Sequence, residues 1–301
     1  MSQVVTLAGL AIIAAALNDA FHTVLHPGGH GAMSDALQSG VWRGFRAAAR
    51  RRPGLLTIAG PTAMVATLAS WAALLAVGWA FVLWPHLPDG FLVAAGLDAS
   101  EERGLLDALY VSLVTLATLG YGDFAPRAGW LRILAPLEAF VGFALISAAI
   151  SWILAVFPVL ARRRALARQV VLLREAVPIA GVDVLHTGDD AVAALLAELT
   201  AGLVTVQGDL AQYPVTYYFH SGDARSALPI AMPDLARLAA NATSPTCPPG
   251  IRLRGAMLQR AVGDFAAEVG LRFLGLTAVP VDEVLRAYAA DHLYACDRVT
   301  T

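Results

Sequence analysis

The chain has 301 residues, of which 57% are hydrophobic and only 15% are charged. Soluble domains carry nearer 25% charged residues, so this composition predicts membrane-spanning segments and argues against a wholly soluble protein. The net charge of −2 does not by itself indicate a function. We expect no nucleic-acid partner. All 21 basic residues are arginine and alanine is abundant, which is typical of a high-GC bacterial genome.

Three stretches are apolar enough to cross a bilayer, whose hydrocarbon core takes about 20 helical residues. They are residues 4–25, 60–84 and 130–160. The first lacks the basic start and the small-residue cleavage site of a signal peptide, so we expect it to be retained as a helix. A shorter apolar run, residues 105–117, has the length of a re-entrant helix rather than of a span.

Arginine clusters predict the orientation of these spans. One cluster, residues 43–52, lies between the first two spans, and another, residues 162–168, follows the third. Basic residues favour the cytoplasmic side, and two clusters separated by two spans share a side. We therefore expect a multi-pass protein of a bacterial inner membrane, with its N-terminus outside and its C-terminus in the cytoplasm.

The segment after the short apolar run reads Thr118-Leu119-Gly120-Tyr121-Gly122-Asp123. Irregular backbone at membrane depth is tolerated where it is buried or lines a water-filled path, and glycine permits conformations that are closed to other residues. Successive carbonyl groups can then point toward one axis and replace the hydration shell of a monovalent cation. The segment resembles the selectivity filter of pore-loop potassium channels, with leucine where valine or isoleucine is more usual. The resemblance covers residues 54–164.

This resemblance implies a role for each filter residue. The backbone carbonyls of Thr118, Leu119, Gly120 and Tyr121 would coordinate K⁺, and the Thr118 hydroxyl would form the innermost ring. Tyr121 would pack outward against the pore helix, which is the short apolar run at residues 105–117. Asp123 would brace the filter at the outer mouth. One pore loop per chain implies a homotetramer in the lipid bilayer. K⁺ is then the permeant ion, and no organic cofactor is evident.

The resemblance also points to residues that support the filter. Some members place a glutamate behind the filter, where it pairs with the filter aspartate, and here that position holds Val114. Glu138 is a carboxylate inside the third span, where such groups usually have a partner. We expect it to bond the pore helix through Thr115. Acidic residues around the filter would attract cations to the outer mouth. They are Asp89, Asp98, Glu101, Glu102, Asp107 and Asp123.

The third span contains the predicted pore lining. Gly142 lies where the family often has a flexible gating point, although close helix packing would equally require a glycine there. Pro158 removes a helical hydrogen bond, so we expect a bend and a gate near residues 154–158. Apolar residues at three- and four-residue spacing form one helical stripe that faces the pore by resemblance. This stripe consists of Phe143, Ile146, Ile150 and Leu154.

These patterns predict an all-α membrane protein with four parts. They are an N-terminal transmembrane helix (1–30), a basic cytoplasmic linker (31–53), the potassium-channel pore domain (54–162) and a helical cytoplasmic regulatory domain (163–301). The last part has predicted helices at 164–176, 189–207, 233–240, 253–269 and 281–295.

The regulatory domain lacks the sequence signs of several functions. It has no GxGxxG after a strand, no P-loop and no HExxH, so we expect neither an enzyme nor a nucleotide-binding Rossmann domain. No arginine repeats at every third position, so a voltage sensor of the usual kind is absent. An unknown cytoplasmic ligand of this domain is left open. Two other functions also stay open: a weakly selective cation channel, and a non-conducting membrane receptor or regulatory subunit.

Overall fold

The computed structural model describes residues 2–26, 31–94 and 104–294. These residues are largely helical, which confirms the predicted all-α class. The helices are α1 (Ser2–Val24), α2 (Ala32–Ala49), α3 (Ala59–Leu83), α4 (Leu105–Leu116), α5 (Leu131–Ala180), α6 (Asp189–Gln212), α7 (Leu228–Ala242), α8 (Pro249–Val269) and α9 (Val281–Asp291). Two short strands, β1 (Phe91–Val93) and β2 (Phe124–Pro126), pair antiparallel.

Four helical segments are long and apolar enough to cross a membrane. They are α1, α3 with its flanking turns (Gly54–His86), α5 and α6. Three of them contain the predicted spans. The fourth, α6, lies in the region predicted as a helical cytoplasmic domain, and its apolar stripe is buried in a hydrophobic core. The stripe consists of Val192, Leu196, Leu199, Leu203, Val206 and Leu210.

The chain divides into two compact units. The first takes residues up to 38 and residues 63–155, and the second takes residues 39–62 and the chain from 156 onward. Helix α5 is a single 50-residue helix that begins in the first unit and ends in the second. The segment predicted as a basic linker, residues 31–53, is mostly helix α2. It folds because one of its faces is apolar: Trp42 and Ala49 are part of the hydrophobic core of the second unit.

In the first unit, α1 packs closely against α3. A Cβ atom on Gly9 would lie 2.5 Å from the carbonyl oxygen of Gly78, and one on Gly78 would lie 2.7 Å from the Ile13 side chain. Small residues allow helix backbones in a membrane to approach in this way. The N-terminal helix therefore packs on its own chain.

A buried carboxylate joins three helices of the first unit. Asp19 of α1 is 5% exposed. It accepts hydrogen bonds from the Met33 backbone amide and the Trp71 indole nitrogen, both at 2.9 Å, and from the Ser34 hydroxyl. The donors at positions 33 and 34 lie at the N-terminus of α2, where the helix dipole favours a negative charge. Asp19 thus fixes the start of α2 to α1 and α3.

The second unit has its own hydrophobic core. Helix α8 packs between α6 and α7, and α9 packs against both α7 and α8. The end of α2 and the second half of α5 contribute Trp42, Leu166 and Val170 to the same core. The predicted helices of this region are confirmed as helical, with some differences at their ends. Helix α7 begins five residues before the predicted start at 233, and α9 ends at Asp291, whereas the predicted end at 295 lies outside the described residues.

Candidate functional site

Helix α4 leads into the glycine-containing segment. It has 12 residues, about 18 Å at 1.5 Å per residue, so it reaches roughly halfway across a 30 Å hydrocarbon core. Asp107 caps its start by accepting the Gly104 amide at 2.8 Å. At its end, the amides of Thr118 and Leu119 donate to the carbonyls of Thr115 and Val114, both at 2.9 Å. These bonds tie the segment to the last turn of α4.

The backbone alternates in handedness through this segment. The φ angles are +56° at Thr118, +57° at Gly120 and +81° at Gly122, while Leu119 and Tyr121 between them keep ordinary negative φ. In an extended strand successive carbonyls point to opposite sides, whereas alternation between left- and right-handed residues turns successive amides to one side and carbonyls to the other. Such an alternation is able to present a row of carbonyl oxygens, an arrangement that suits a dehydrated cation.

Glycine is required here by conformation and not by lack of space. A Cβ atom on Gly120 or Gly122 would meet nothing within 4 Å, but positive φ is unfavourable for residues with side chains. Thr118 adopts positive φ despite its branched side chain, at a cost on the order of 1–3 kcal/mol. Such strain persists only where the surroundings impose it, and here the bonds to α4 do so.

The carboxylate after the glycines is held by a residue that sequence reasoning missed. The hydroxyl of Tyr110 donates to Asp123, and the Asp123 carbonyl accepts the Ala94 amide at 2.9 Å. Tyr110 lies one helical turn before Val114, on the same face of α4, so its hydroxyl reaches the carboxylate that a glutamate at 114 would otherwise meet. The four-residue spacing was the only signal in the sequence.

Glu138 contacts α4 through a different residue from the one predicted. It is 1% exposed and accepts a hydrogen bond from the Ser112 hydroxyl at 2.7 Å. Thr115, the predicted donor, gives its hydroxyl to the Val111 carbonyl of its own helix at 2.8 Å, because a threonine in a helix readily bonds the carbonyl four residues back. Glu138 therefore ties α5 to the middle of α4, one turn before the expected position.

Gly142 is a site of close packing between α5 and the end of α4. A Cβ atom there would lie 2.0 Å from the Leu116 carbonyl oxygen, so no side chain fits without movement. Helix α5 continues without interruption through Gly142 and through Pro158, the predicted bend. The close-packing explanation of Gly142 accounts for this geometry without a hinge.

The predicted pore-lining stripe is exposed in the single chain. Its four residues are between 51% and 65% exposed. The opposite side of α5 is buried, and Trp152 there packs against Trp71 with ring centroids 5.9 Å apart. Leu119 and Tyr121 are also exposed, by 55% and 67%. The exposed residues of this stripe are Phe143, Ile146, Ile150 and Leu154.

Acidic residues lie on both sides of the glycine-containing segment. Asp89 is exposed, Asp107 caps α4 and Asp123 is held by Tyr110. The other predicted outer acids, Asp98, Glu101 and Glu102, lie outside the described residues. Within the described ranges no group of three or more acidic, histidine or cysteine side chains could hold a metal ion, so a cation here would depend on backbone oxygens.

Residues 71–157 match the model of a protein family described as "Ion channel". This region contains α4, the glycine-containing segment and the first half of α5. Three curated proteins are similar to the chain. The longest match is to an uncharacterized membrane protein of Bacillus subtilis, YdjJ, with 25% identity over 231 residues, which is 73% of this chain and 64% of that protein.

The other two relatives are potassium channels of Arabidopsis thaliana. Two-pore potassium channel 1 is 38% identical over 56 residues, which is 19% of this chain and 15% of that protein. Two-pore potassium channel 5 is 44% identical over 43 residues, or 14% and 10%. The chain thus spans less than two thirds of the length of each relative. No solved structure matches it.

Proposed function

We propose that the chain is one subunit of a potassium-selective channel rather than an enzyme, since residues 71–157 match a family described as "Ion channel". The observation that carries this proposal is the alternation of φ at Thr118, Gly120 and Gly122. It presents the carbonyls of residues 118–121 as ligands for K⁺, with the Thr118 hydroxyl as the innermost ligand. The similarity to two potassium channels supports the same ion.

Four copies of the chain would complete the pore. One chain supplies a single row of carbonyls, and a ring around an ion needs such rows from several sides. The exposure of Leu119 and Tyr121 supports a partner at this surface, because large apolar and aromatic side chains next to a filter need neighbours to hold it. The exposed stripe of α5 would then line the inner cavity, with a gate near Leu154 and Pro158.

We assign three crossings to each chain, through α1, α3 and α5, with the N-terminus outside and the C-terminus in the cytoplasm. Helix α6 stays out of the bilayer in this topology. Its apolar stripe is occupied by the core of the second unit, and its acidic residues bond the end of α5: Asp209 pairs with Arg162 at 2.7 Å and Glu198 accepts from Gln169 at 2.8 Å. The second unit is then a cytoplasmic domain that can regulate the pore.

The test is ion flux from liposomes that contain the purified protein, with K⁺ and Na⁺ measured in parallel. We expect K⁺ flux with little Na⁺ flux, and Gly120→Asp should abolish it. Gly129→Asp is the matched control, since Gly129 is exposed, lies beyond the filter and keeps ordinary φ.

Each other result has a definite meaning. Equal K⁺ and Na⁺ flux would replace selectivity with a weakly selective cation channel and make Leu119 the next residue to change. Loss of K⁺ flux in both Gly120→Asp and Gly129→Asp would show that conduction does not depend specifically on Gly120. A chain that stays monomeric in detergent and conducts nothing would favour a receptor or regulatory subunit.

A further inference from the structure

A carboxylate also joins several elements of the second unit, as Asp19 does in the first. It is Asp291, at the end of α9. Asp291 accepts the Trp42 indole nitrogen at 2.8 Å and the Tyr217 hydroxyl at 2.7 Å, and it pairs with Arg46 at 2.7 Å. Two of these donors belong to α2 and one belongs to the turn after α6. Asp291 therefore fastens the end of α9 to both segments.

His292, the next residue, is enclosed by aromatic rings. It is 2% exposed, and its ring centroid lies 4.9 Å from Trp42 and 5.0 Å from both Tyr217 and Tyr288. Its Nε2 atom is buried and has no hydrogen-bond partner among the described residues. A buried imidazole without a partner gains nothing from a charge, so its surroundings suit the neutral ring only.

A second histidine lies beside the first. The ring of His220 stacks on Tyr294 at 4.8 Å and on His292 at 6.3 Å, and its Nδ1 is also buried without a partner in the described part of the chain. Tyr294 closes this side by donating its hydroxyl to the Ser221 carbonyl at 2.7 Å. The two histidines thus join the chain after α9 to the segment that follows α6.

The same segment holds the extension of α5. Arg163 is 7% exposed and donates to the carbonyls of Thr216 and Phe219. No carboxylate in the described ranges forms an ion pair with it. The charged and titratable groups that face the two histidines from the surrounding elements are Arg46, Arg163, Tyr217, Tyr218, Tyr288, Asp291 and Tyr294. The one carboxylate among them, Asp291, is already bonded by three donors.

The electrostatics of the cluster oppose a further positive charge. Burial lowers the pKa of His292 well below its ordinary value, and the nearby Arg163, His220 and Arg46 lower it further. Burial and Arg163 also lower the pKa of His220. The packed state therefore favours the neutral form of both rings, and the ordinary histidine pKa near 6.5 returns only when they leave it.

We propose that His292 and His220 form an acid-sensitive latch, which holds the end of α9 against α2 and the 214–221 segment at neutral pH and releases it when the pH on that side of the membrane falls. Arg163 transmits the release, because it bonds the 214–221 segment and belongs to the helix whose first half is the predicted pore lining. This last step rests on the proposed channel function, whereas the release itself does not.

Proton linkage sets the expected size of the effect. A histidine that is neutral when packed and has a pKa near 6.5 when released favours release about tenfold more at pH 5.5 than at pH 7.5. Two independent histidines would give about a hundredfold. Any coupling between the rings, which stack on each other, reduces the second factor.

The first test is hydrogen exchange of the full-length protein in lipid nanodiscs at pH 7.5 and 5.5, corrected for intrinsic exchange rates. We expect residues 281–294 to lose tenfold or more of their protection at the lower pH. His292→Phe keeps an aromatic ring that cannot be protonated, and His220→Gln removes the second group without filling the core. Each should reduce the loss of protection by about tenfold.

His186→Gln is the matched control, because His186 is an exposed histidine of the same unit whose ring bonds Asp183 and lies outside the aromatic cluster. Protection that is equal at both pH values, or a loss that persists unchanged in both His292→Phe and His220→Gln, would overturn the latch.

The second test is K⁺ flux at the same two pH values on the cytoplasmic-domain side. We expect flux to change with pH in the native protein and in His186→Gln, and to change less in the two latch variants. Release of α9 at low pH without any K⁺ flux at either pH would still support the latch, and it would count against the proposed channel function. Flux that ignores pH while release occurs would overturn the transmission through Arg163.

Discussion

The two units bury charge in opposite ways. In the described part of the first unit the buried charged residues are the acids Asp19 and Glu138, and each accepts hydrogen bonds from another helix. In the second unit Arg163 and His292 are buried, and they face carbonyls and aromatic rings. A buried acid with its donors is a fixed tie between helices. A buried histidine without an acid to bond depends on the pH around it, whereas Arg163 stays charged.

The largest effect should follow from removing a tie. Asp19→Ala leaves the Ser34 hydroxyl, the Trp71 indole and the first amides of α2 without their acceptor. Hydrogen bonds to a charged group are each worth about 1.5–3 kcal/mol, and buried donors left unpaired add to the loss. We expect a destabilisation of about 3–5 kcal/mol, seen as a fall in Tm of about 10 °C in detergent.

Asp89→Ala is the control, because Asp89 is exposed and no bond to its side chain is present in the described residues. An equal, small shift in both variants would mean that Asp19 is dispensable, and the contrast between the units would lose its first half.

The second unit should show its dependence on pH at the alkaline end as well. Burial raises the pKa of Tyr288 to about 12, and burial and Asp291 also raise the pKa of Tyr217. The folded state therefore keeps protons that an unfolded tyrosine loses near pH 10. The stabilisation is complete below pH 10 and is lost as the pH rises toward 12, by about 2–3 kcal/mol for Tyr288.

This loss is measured by following phenolate absorbance and circular dichroism together in an alkaline titration. Tyr288→Phe should shift the midpoint pH of alkaline unfolding upward, because it removes one of the groups that lose a proton when the chain unfolds. A midpoint that does not move would show that Tyr288 ionises without unfolding, and that the aromatic core tolerates charge.

The sequence predicted some of these residues and not others for a physical reason. Gly120 and Gly122 could be predicted because their backbone conformation demands glycine whatever surrounds it. Ser112 and Tyr110 could not, because the choice of partner depends on how α4 is rotated against its neighbours. His220 and His292 lie 72 positions apart, and only the packing of α9 brings them together.

The helices likewise include features that the sequence could predict and features that it could not. The all-α class followed from apolar runs and from the periodicity of the helices. The start of α2 could not be predicted in this way, because the arginines of residues 31–53, considered alone, indicate a polar connection. Trp42 and Ala49 are apolar at a seven-residue spacing, which places them on one face, but the core that receives this face is built by residues far along the chain.

Two helical glycines give a sharper comparison between the units. Gly142→Ala should destabilise the first unit by about 1–3 kcal/mol, since its Cβ would lie 2.0 Å from the Leu116 carbonyl and the backbones must move apart. Gly263→Ala in α8 meets nothing within 4 Å and should stabilise by up to about 1 kcal/mol, because alanine favours helix. The two melting temperatures should move in opposite directions. A gain in both would mean that the approach of α5 to α4 relaxes easily.

The smallest effect should come from Tyr110→Phe, which keeps the ring and removes only the hydrogen bond to Asp123. The loss of stability should be small, because both partners stay accessible to water, which can replace the hydrogen bond. It should appear as a lower melting temperature of the protein with the fold of the second unit unchanged and, under the proposed channel function, as a faster decline of K⁺ flux. Val114→Glu in the same background places a second hydrogen-bonding side chain on the same face of α4, one turn after Tyr110, and should restore part of the stability. If Tyr110→Phe alters neither measurement, the bond between α4 and Asp123 does not support the conformation of residues 118–122.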